Sequence, residues 1–85
     1  MTKKQILEEV LSRIEQGIFC YICPAIRAIS DCSNSEYLLL HFSNHNNIPK
    51  RYRGAYWRGE PMSGLWTWQG KRMRISYLKH LISKL

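Results

Sequence analysis

Apolar residues near the start of the chain repeat at i, i+3 and i+4, the spacing of an amphipathic helix. They are Ile6, Leu7, Val10, Leu11 and Ile14. Thr2 and Gln5 have the spacing of a capping box, in which each side chain bonds the backbone N–H of the other residue. Gly17 suits the left-handed residue that often follows a helix. The pattern predicts a first helix over residues 3–16.

The next stretch, "IFCYICPAIRAISDC", contains Pro24, which is costly inside a helix but fits its first turn. We therefore expect an extended or turn segment over residues 18–22 and a short helix over residues 24–31. Ser33 and Glu36 have capping-box spacing before "YLLLHF" and predict a third helix over residues 34–43. The following "SNHNNIPK", rich in Asn, indicates a loop.

The pattern changes between Gly54 and Gly70. Short aromatic runs bounded by glycines, "AYWRG" and "LWTWQG", predict a small β-hairpin with a strand at residues 65–68; an irregular aromatic loop is the alternative. The chain then predicts a helix over residues 71–84. Its apolar stripe lies opposite a polar stripe formed by Arg72, Ser76, Lys79 and Ser83.

Eighty-five residues suffice for one compact domain, residues 1–85, with a single core. The elements predict an α+β fold that is mostly α: three to four short helices, with a small aromatic-rich β-hairpin or loop before the C-terminal helix. No apolar run reaches the ~20 residues of a transmembrane helix. The N-terminal "MTKKQILEEV" has the pattern of an amphipathic helix and does not resemble a signal peptide. We therefore expect a cytoplasmic protein without membrane contact.

Charge is distributed unevenly along the chain. Residues 1–48 carry four Lys/Arg and five Asp/Glu, a net charge of −1, whereas residues 49–85 carry nine and one, a net charge of +8. Such an imbalance creates a positive field on one part of the molecule. The chain is therefore not an acidic mimic of DNA, and its expected partners are anionic.

Cations and aromatic residues alternate in "KRYRGAYWR", residues 50–58, and the combination recurs over residues 66–74. Arginine binds phosphate through a fixed fork of donors, and aromatic faces stack on bases for about 1–3 kcal/mol each. The alternative is that the tryptophans fill the core and the arginines are merely solvated. We predict a ligand-binding set of Arg51, Tyr52, Arg53, Tyr56, Trp57, Arg58, Trp66, Trp68, Lys71, Arg72 and Arg74.

A zinc site is a further alternative. Cys20 and Cys23 have zinc-knuckle spacing, and Cys32 and His41 could complete a tetrahedron. The two cysteines lie in an apolar run and no second Cys-x2-Cys follows, so ordinary buried thiols are favoured and no metal or cofactor is expected. Catalysis is not expected either, because the chain has no nucleophile turn and no glycine-rich phosphate loop.

The two ends of the chain contain "SRIEQG" followed by "YIC", and the C-terminal "MRISYLKHLISKL". In these stretches the chain resembles small uncharacterised proteins of bacteriophage genomes. The resemblance implies a small, cytoplasmic, phage-encoded accessory protein without catalytic activity, and such proteins often counter bacterial defences. It transfers no functional residue to this chain.

The sequence thus predicts a non-enzymatic accessory protein, with an anti-defence role, that binds a nucleotide signal or nucleic acid through its basic-aromatic surface. The alternative is a protein–protein inhibitor whose basic face docks on an acidic surface of a host defence enzyme, because Trp, Tyr and Arg also anchor protein interfaces. A chain this small can also build a nucleotide pocket at a symmetric interface, so a homodimer is considered.

Overall fold

The computed structural model describes residues 1–29, 31–52 and 68–85, and it describes side chains for all of these except residues 45, 50 and 68–70. The described residues form four α-helices and two short 3-10 turns. The helices are α1 (Lys3–Glu15), α2 (Ile22–Ile29), α3 (Ser33–Ser43) and α4 (Trp68–Lys84), and the turns are His45–Asn47 and Lys50–Tyr52.

The predicted α+β class is wrong, because the described residues are mostly helical and contain no strand. The predicted hairpin or loop over residues 54–67 lies outside the described residues. Trp68, expected at the end of a strand, instead begins α4, three residues before the predicted start. Gly70 costs a helix only about 1 kcal/mol relative to alanine, and tertiary packing supplies most of a helix's stability. A glycine was therefore a poor boundary marker here.

Helix α1 confirms the predicted cap and stop. The Gln5 N–H donates to Thr2 Oγ1 at 3.1 Å, and the Thr2 N–H donates to Gln5 Oε1 at 2.8 Å. Gly17 follows the helix with a φ of +79°, a conformation that costs glycine nothing and other residues more. The buried face of α1 consists of Ile6, Leu7, Val10 and Ile14.

Helix α2 begins at Ile22, two residues before the predicted start. Pro24 lies in its first turn as expected, where the missing N–H leaves no helical bond unmade. The preceding residues 16–21 are not helical, which agrees with the predicted segment at 18–22 except at Ile22, the first residue of α2.

The capping box predicted for Ser33 and Glu36 is wrong. Helix α3 starts one residue earlier, with Cys32 as N-cap, so that Ser35 occupies the third helical position. The Cys32 N–H donates to Ser35 Oγ at 2.9 Å, and the Ser35 hydroxyl donates to the Cys32 carbonyl at 2.8 Å. Glu36 is exposed. The Ser35 hydroxyl thus accepts the hydrogen bond from the N-cap residue, a role that the sequence pattern predicted for the Glu36 carboxylate.

Helix α1 packs against α2, α3 and α4, and the Lys50–Tyr52 turn packs against α4. The buried residues form one core, to which every helix contributes fully buried side chains, such as Ile6, Ile26, Phe42 and Leu78. Helix α4 exposes the predicted polar stripe of Arg72, Ser76, Lys79 and Ser83. Within the described part of the chain, no helix is long and apolar enough to cross a membrane.

Candidate functional site

Helix α4 is basic along its whole length. Its sequence, "WQGKRMRISYLKHLISK", contains five Lys/Arg and no Asp/Glu. Arg72, Lys79 and Lys84 are exposed, and Lys71 is half-buried. Lys79 faces α1 across a shallow cleft of about 340 Å³ that Glu8 and Glu15 also line, so acidic groups lie near it. The remaining exposed cations of α4 form the more promising surface for an anion.

The turn Lys50–Tyr52 packs against α4 and adds another cation, Arg51. Arg51 is exposed, and its Cζ lies 4.8 Å from the centroid of the Tyr52 ring. Tyr52 itself is only 8% exposed, and its N–H donates to the Pro49 carbonyl at 2.9 Å. The buried ring therefore supports the guanidinium from below, as a cation–π contact, and leaves the outer face of Arg51 to solvent.

Arg51 and Lys84 both contribute to the lowered pKa of the His80 imidazole. The pKa of His80 is lowered by partial desolvation and then by the positive charges of Lys84 and Arg51. The Tyr52 ring also lies near His80, with the two ring centroids 5.9 Å apart. We call the side chains of Arg51, His80 and Lys84 the Arg51–His80–Lys84 cluster. The positive charges of Lys84 and Arg51 disfavour a proton on His80, and an anion bound beside them would reduce that effect.

Beneath the cluster lies a set of packed rings. The Tyr77 and Tyr52 centroids are 4.8 Å apart, and Tyr77 meets Phe42 edge-on at 5.9 Å. A 2.8 Å hydrogen bond joins His41 Nε2 and the Tyr77 hydroxyl and links α3 to α4. Burial, together with Tyr52, raises the pKa of Tyr77 to about 12, and burial lowers the pKa of His41. Both groups are uncharged at neutral pH, so the rings form an apolar support for the cluster.

Arg74, predicted to hold a phosphate, lies in the interior with 1% of its surface exposed. Its Cζ is 4.7 Å from the centroid of the Tyr21 ring. Desolvation lowers the pKa of Arg74, while Tyr21 and Cys20 act in the opposite direction. A ligand at the surface of this structure does not reach the guanidinium, and we do not include Arg74 in the candidate site. Tyr52, also predicted to stack on a base, is covered as well.

The rest of the predicted binding set divides in two. Arg51, Lys71 and Arg72 are accessible at the surface. The other members stay predictions, because their side chains lie outside the described residues; they are Arg53, Tyr56, Trp57, Arg58, Trp66 and Trp68. His80 and Lys84 were not predicted. Their i, i+4 spacing on a basic helix was a visible signal, but their proximity to Arg51 depends on the tertiary fold.

The considered zinc ligands do not come together. Cys20 is exposed, Cys23 is buried and Cys32 is half-buried, and all three are thiols. His41 is hydrogen-bonded to Tyr77. Within residues 1–29, 31–52 and 68–85, no three His, Cys, Asp or Glu side chains form a group that could hold a metal ion. The set Cys20, Cys23, Cys32 and His41 thus has no geometric support.

Comparison with known proteins adds no relative: no family model, no curated protein and no solved structure matches the chain. The fold class therefore follows from the helices themselves.

Proposed function

We propose that this protein is a non-enzymatic, phage-type accessory protein that binds a phosphate-bearing ligand in the host cytoplasm. The ligand is a nucleotide signal or a nucleic acid, and its capture acts against a bacterial defence. The observation that carries the proposal is helix α4, which has five Lys/Arg and no acid. The exposed Arg51 lies over the Tyr52 ring, which packs beside His80 of that helix. Charge of one sign, concentrated without compensation on its own helix, favours an anionic ligand.

Each member of the cluster has a distinct role in this proposal. Arg51 donates a pair of parallel hydrogen bonds to phosphate oxygens, and the Tyr52 ring limits the orientations of its guanidinium. Lys84 contributes a mobile point charge. Since Tyr52 is buried, base stacking falls to the aromatic residues of the 53–67 segment, as the sequence predicts. Arg72 and Lys71 extend the phosphate path toward the start of α4.

His80 reports occupancy of the cluster. Partial desolvation, and after it the charges of Lys84 and Arg51, hold the pKa of His80 below 6.5, and a phosphate bound beside the two cations cancels part of their field. Binding should therefore raise the pKa of His80. By linkage, the affinity for phosphate should increase as the pH falls below 6.5, because the protonated imidazole binds the anion more tightly.

The test is a fluorescence-anisotropy titration with a labelled single-stranded oligonucleotide, accompanied by a panel of mononucleotides and cyclic dinucleotides as competitors. Arg51→Ala should lower the affinity of the bound ligand about tenfold, since it removes one charge-assisted contact. Arg27→Ala is the matched control, because it removes the same charge from an exposed arginine on α2. Equal binding by the wild type and both variants, or no binding of any phosphate ligand by the wild type, would contradict the proposal.

A second candidate function is protein–protein inhibition, in which the basic face docks on an acidic surface of a host defence enzyme. Tyr37 and Leu40 favour it, because they expose 56% and 71% of their surfaces on α3. A phosphate ligand at Arg51 would leave both uncovered. Salt dependence separates the candidates: a nucleic acid with Z phosphate contacts loses affinity with a log–log slope of about −0.9Z, whereas an apolar-anchored protein complex is less sensitive.

A further inference from the structure

A cavity of about 140 Å³ opens where α1, α3 and α4 meet. Leu7, Leu38 and Leu81, one from each helix, line its floor. The first two are almost completely buried, at 1% and 4% exposure. Apolar cavities of about this volume hold a benzene-sized group. The cavity therefore fits one bulky apolar side chain and suits a nucleobase poorly, because the polar edges of a base would find few partners on leucine.

Two cations stand at the edge of this cavity, Lys3 at the start of α1 and Lys84 at the end of α4. The Lys3 ammonium lies 3.7 Å from the centroid of the Tyr37 ring, which also lines the cavity. None of the described lining residues is acidic. An apolar floor with a cationic rim is complementary to an apolar group that carries negative charge beside it.

The surface beyond the cavity is mixed, with Tyr37 and Leu40 beside the polar His41 and Asn47. A second, shallower cavity of about 260 Å³ is lined by Tyr37, Leu40, His41 and Asn47, and it shares Tyr37 and His41 with the first. Leu40 is 71% exposed, more than any other large apolar residue among those described. Exposed apolar surface of this kind, bordered by charge, marks interaction sites. We call the two cavities with Tyr37 and Leu40 the α3 groove.

We propose that the α3 groove binds an acidic, amphipathic helical segment of a partner protein. One bulky apolar side chain of that segment fills the cavity over Leu7, Leu38 and Leu81, and a second covers Leu40. Its carboxylates face Lys3 and Lys84. This inference rests on the second of the two functions proposed above. A small anionic amphiphile would fill the first cavity only and leave Leu40 exposed, which is why the extent of the groove favours a protein segment.

The probe is a fluorescent helical peptide of about 18 residues, roughly five turns, with Leu and Phe on one face and Glu on the other. A scrambled peptide of the same composition serves as its control. The wild-type protein should bind the amphipathic peptide at least about tenfold more tightly than the scrambled one, because only the former presents both anchors on one face. In ¹H–¹⁵N spectra, the perturbed signals should come from α3 and the ends of α1 and α4.

Two variants test the site without endangering the fold. Leu40→Ser removes an exposed anchor, and Lys3→Glu reverses the rim charge while placing an acid at a helix start, where it is favourable. Each should weaken peptide binding at least about fivefold. Lys3→Glu should in turn gain affinity for a peptide in which Lys replaces Glu. Such a charge swap requires a direct contact and not merely an intact structure.

Arg51→Ala distinguishes the failure of this inference from the failure of phosphate binding. It should leave peptide affinity within about twofold of wild type, since Arg51 does not line the groove. Equal binding of both peptides, or wild-type affinity in both groove variants, would overturn the inference even if phosphate ligands bind. A dimer in native mass spectra that Leu40→Ser dissociates would overturn it too, and would assign the groove to self-association.

Discussion

Helices α1 and α4 pack against each other but differ in how their charges are balanced. Helix α1 carries three Lys/Arg and three Glu, and Arg13 Nε lies 3.0 Å from Glu9 Oε1. Helix α4 carries five cations and no acid. The net charge of α1 is thus zero within the helix itself. The charge of α4 must be balanced from outside, by α1 at Lys79 and, as we propose, by a ligand around Arg51, His80 and Lys84.

The same contrast exists within α4, between two arginines two positions apart. Arg72 is exposed, whereas Arg74 is buried against the Tyr21 ring. One cation is therefore a component of the interior and the other belongs to the surface. The net charge of α4 is therefore larger than the charge that its surface can present to a ligand.

The largest effect is expected for Arg74→Ala. Its loss should lower the free energy of unfolding by about 3 kcal/mol, because the substitution removes a large buried side chain and its stacking on Tyr21. Urea denaturation measures the change. Arg74→Met keeps most of the volume without the charge and should lose no more than about 1 kcal/mol. Wild-type stability in Arg74→Ala would show that this arginine is not part of the core.

Tyr77→Phe should have a smaller effect. It removes the hydroxyl that is hydrogen-bonded to His41 and should cost about 1 kcal/mol, since the half-buried imidazole loses its partner. Tyr37→Phe is the matched control, because Tyr37 is largely exposed. Thermal unfolding of both variants gives the comparison, and an equal loss in the two would argue against the link between α3 and α4.

Acidification should destabilise the protein. Burial lowers the pKa of His41, so below 6.5 the unfolded chain takes up a proton that the folded protein binds less readily. The stability is fully present above pH 6.5 and is lost as the pH falls through and below that value; His80 acts in the same direction. Urea midpoints at pH 8 and pH 5 measure the loss. The difference should shrink in His41→Gln, and a higher midpoint at pH 5 would contradict the assignment.

The smallest stability effects are expected for Arg13→Ala and Arg72→Ala, each within about 0.5 kcal/mol of wild type. Arg13→Ala breaks a partly exposed ion pair, and Arg72→Ala shortens an exposed side chain. Their binding should differ: Arg72→Ala should weaken the phosphate ligand and reduce its salt slope by about 1, whereas Arg13→Ala should not. If both or neither affect binding, the contrast between α1 and α4 has no functional meaning.

Much of the helical structure could be predicted because its signals are local. The periodicity of α1, the Thr2–Gln5 capping box and the Gly17 stop all act within a few residues, and the structure contains each of them. The errors in the helix boundaries arose where two nearby residues or two effects compete to set the end of a helix. Ser35 replaced Glu36 at the α3 cap, because a shift of one residue changes which side chain reaches the N-cap. Gly70 failed to delimit α4, because packing outweighs propensity.

The candidate site was only partly predictable. Arg51 and Arg72 lie at the surface as expected, but Arg74 does not. Arg74 lies four residues before Leu78, on the same face of the helix as the apolar stripe, and this spacing could have indicated its burial. Cations are rarely buried without a partner, so we expected Arg74 at the surface. The partner is Tyr21, which is 53 positions away in the sequence.

The sequence by itself determined that four helices form in these regions, though not all of their ends, and that the second half of the chain is strongly basic. Periodicity, caps and charge counts need no knowledge of distant residues. Only the tertiary structure decided which cations face solvent, that Tyr52 brings Arg51 to the side of His80, and that leucines of α1, α3 and α4 share one cavity. These arrangements depend on contacts between residues far apart in the chain, and the free energy of packing the core selects them.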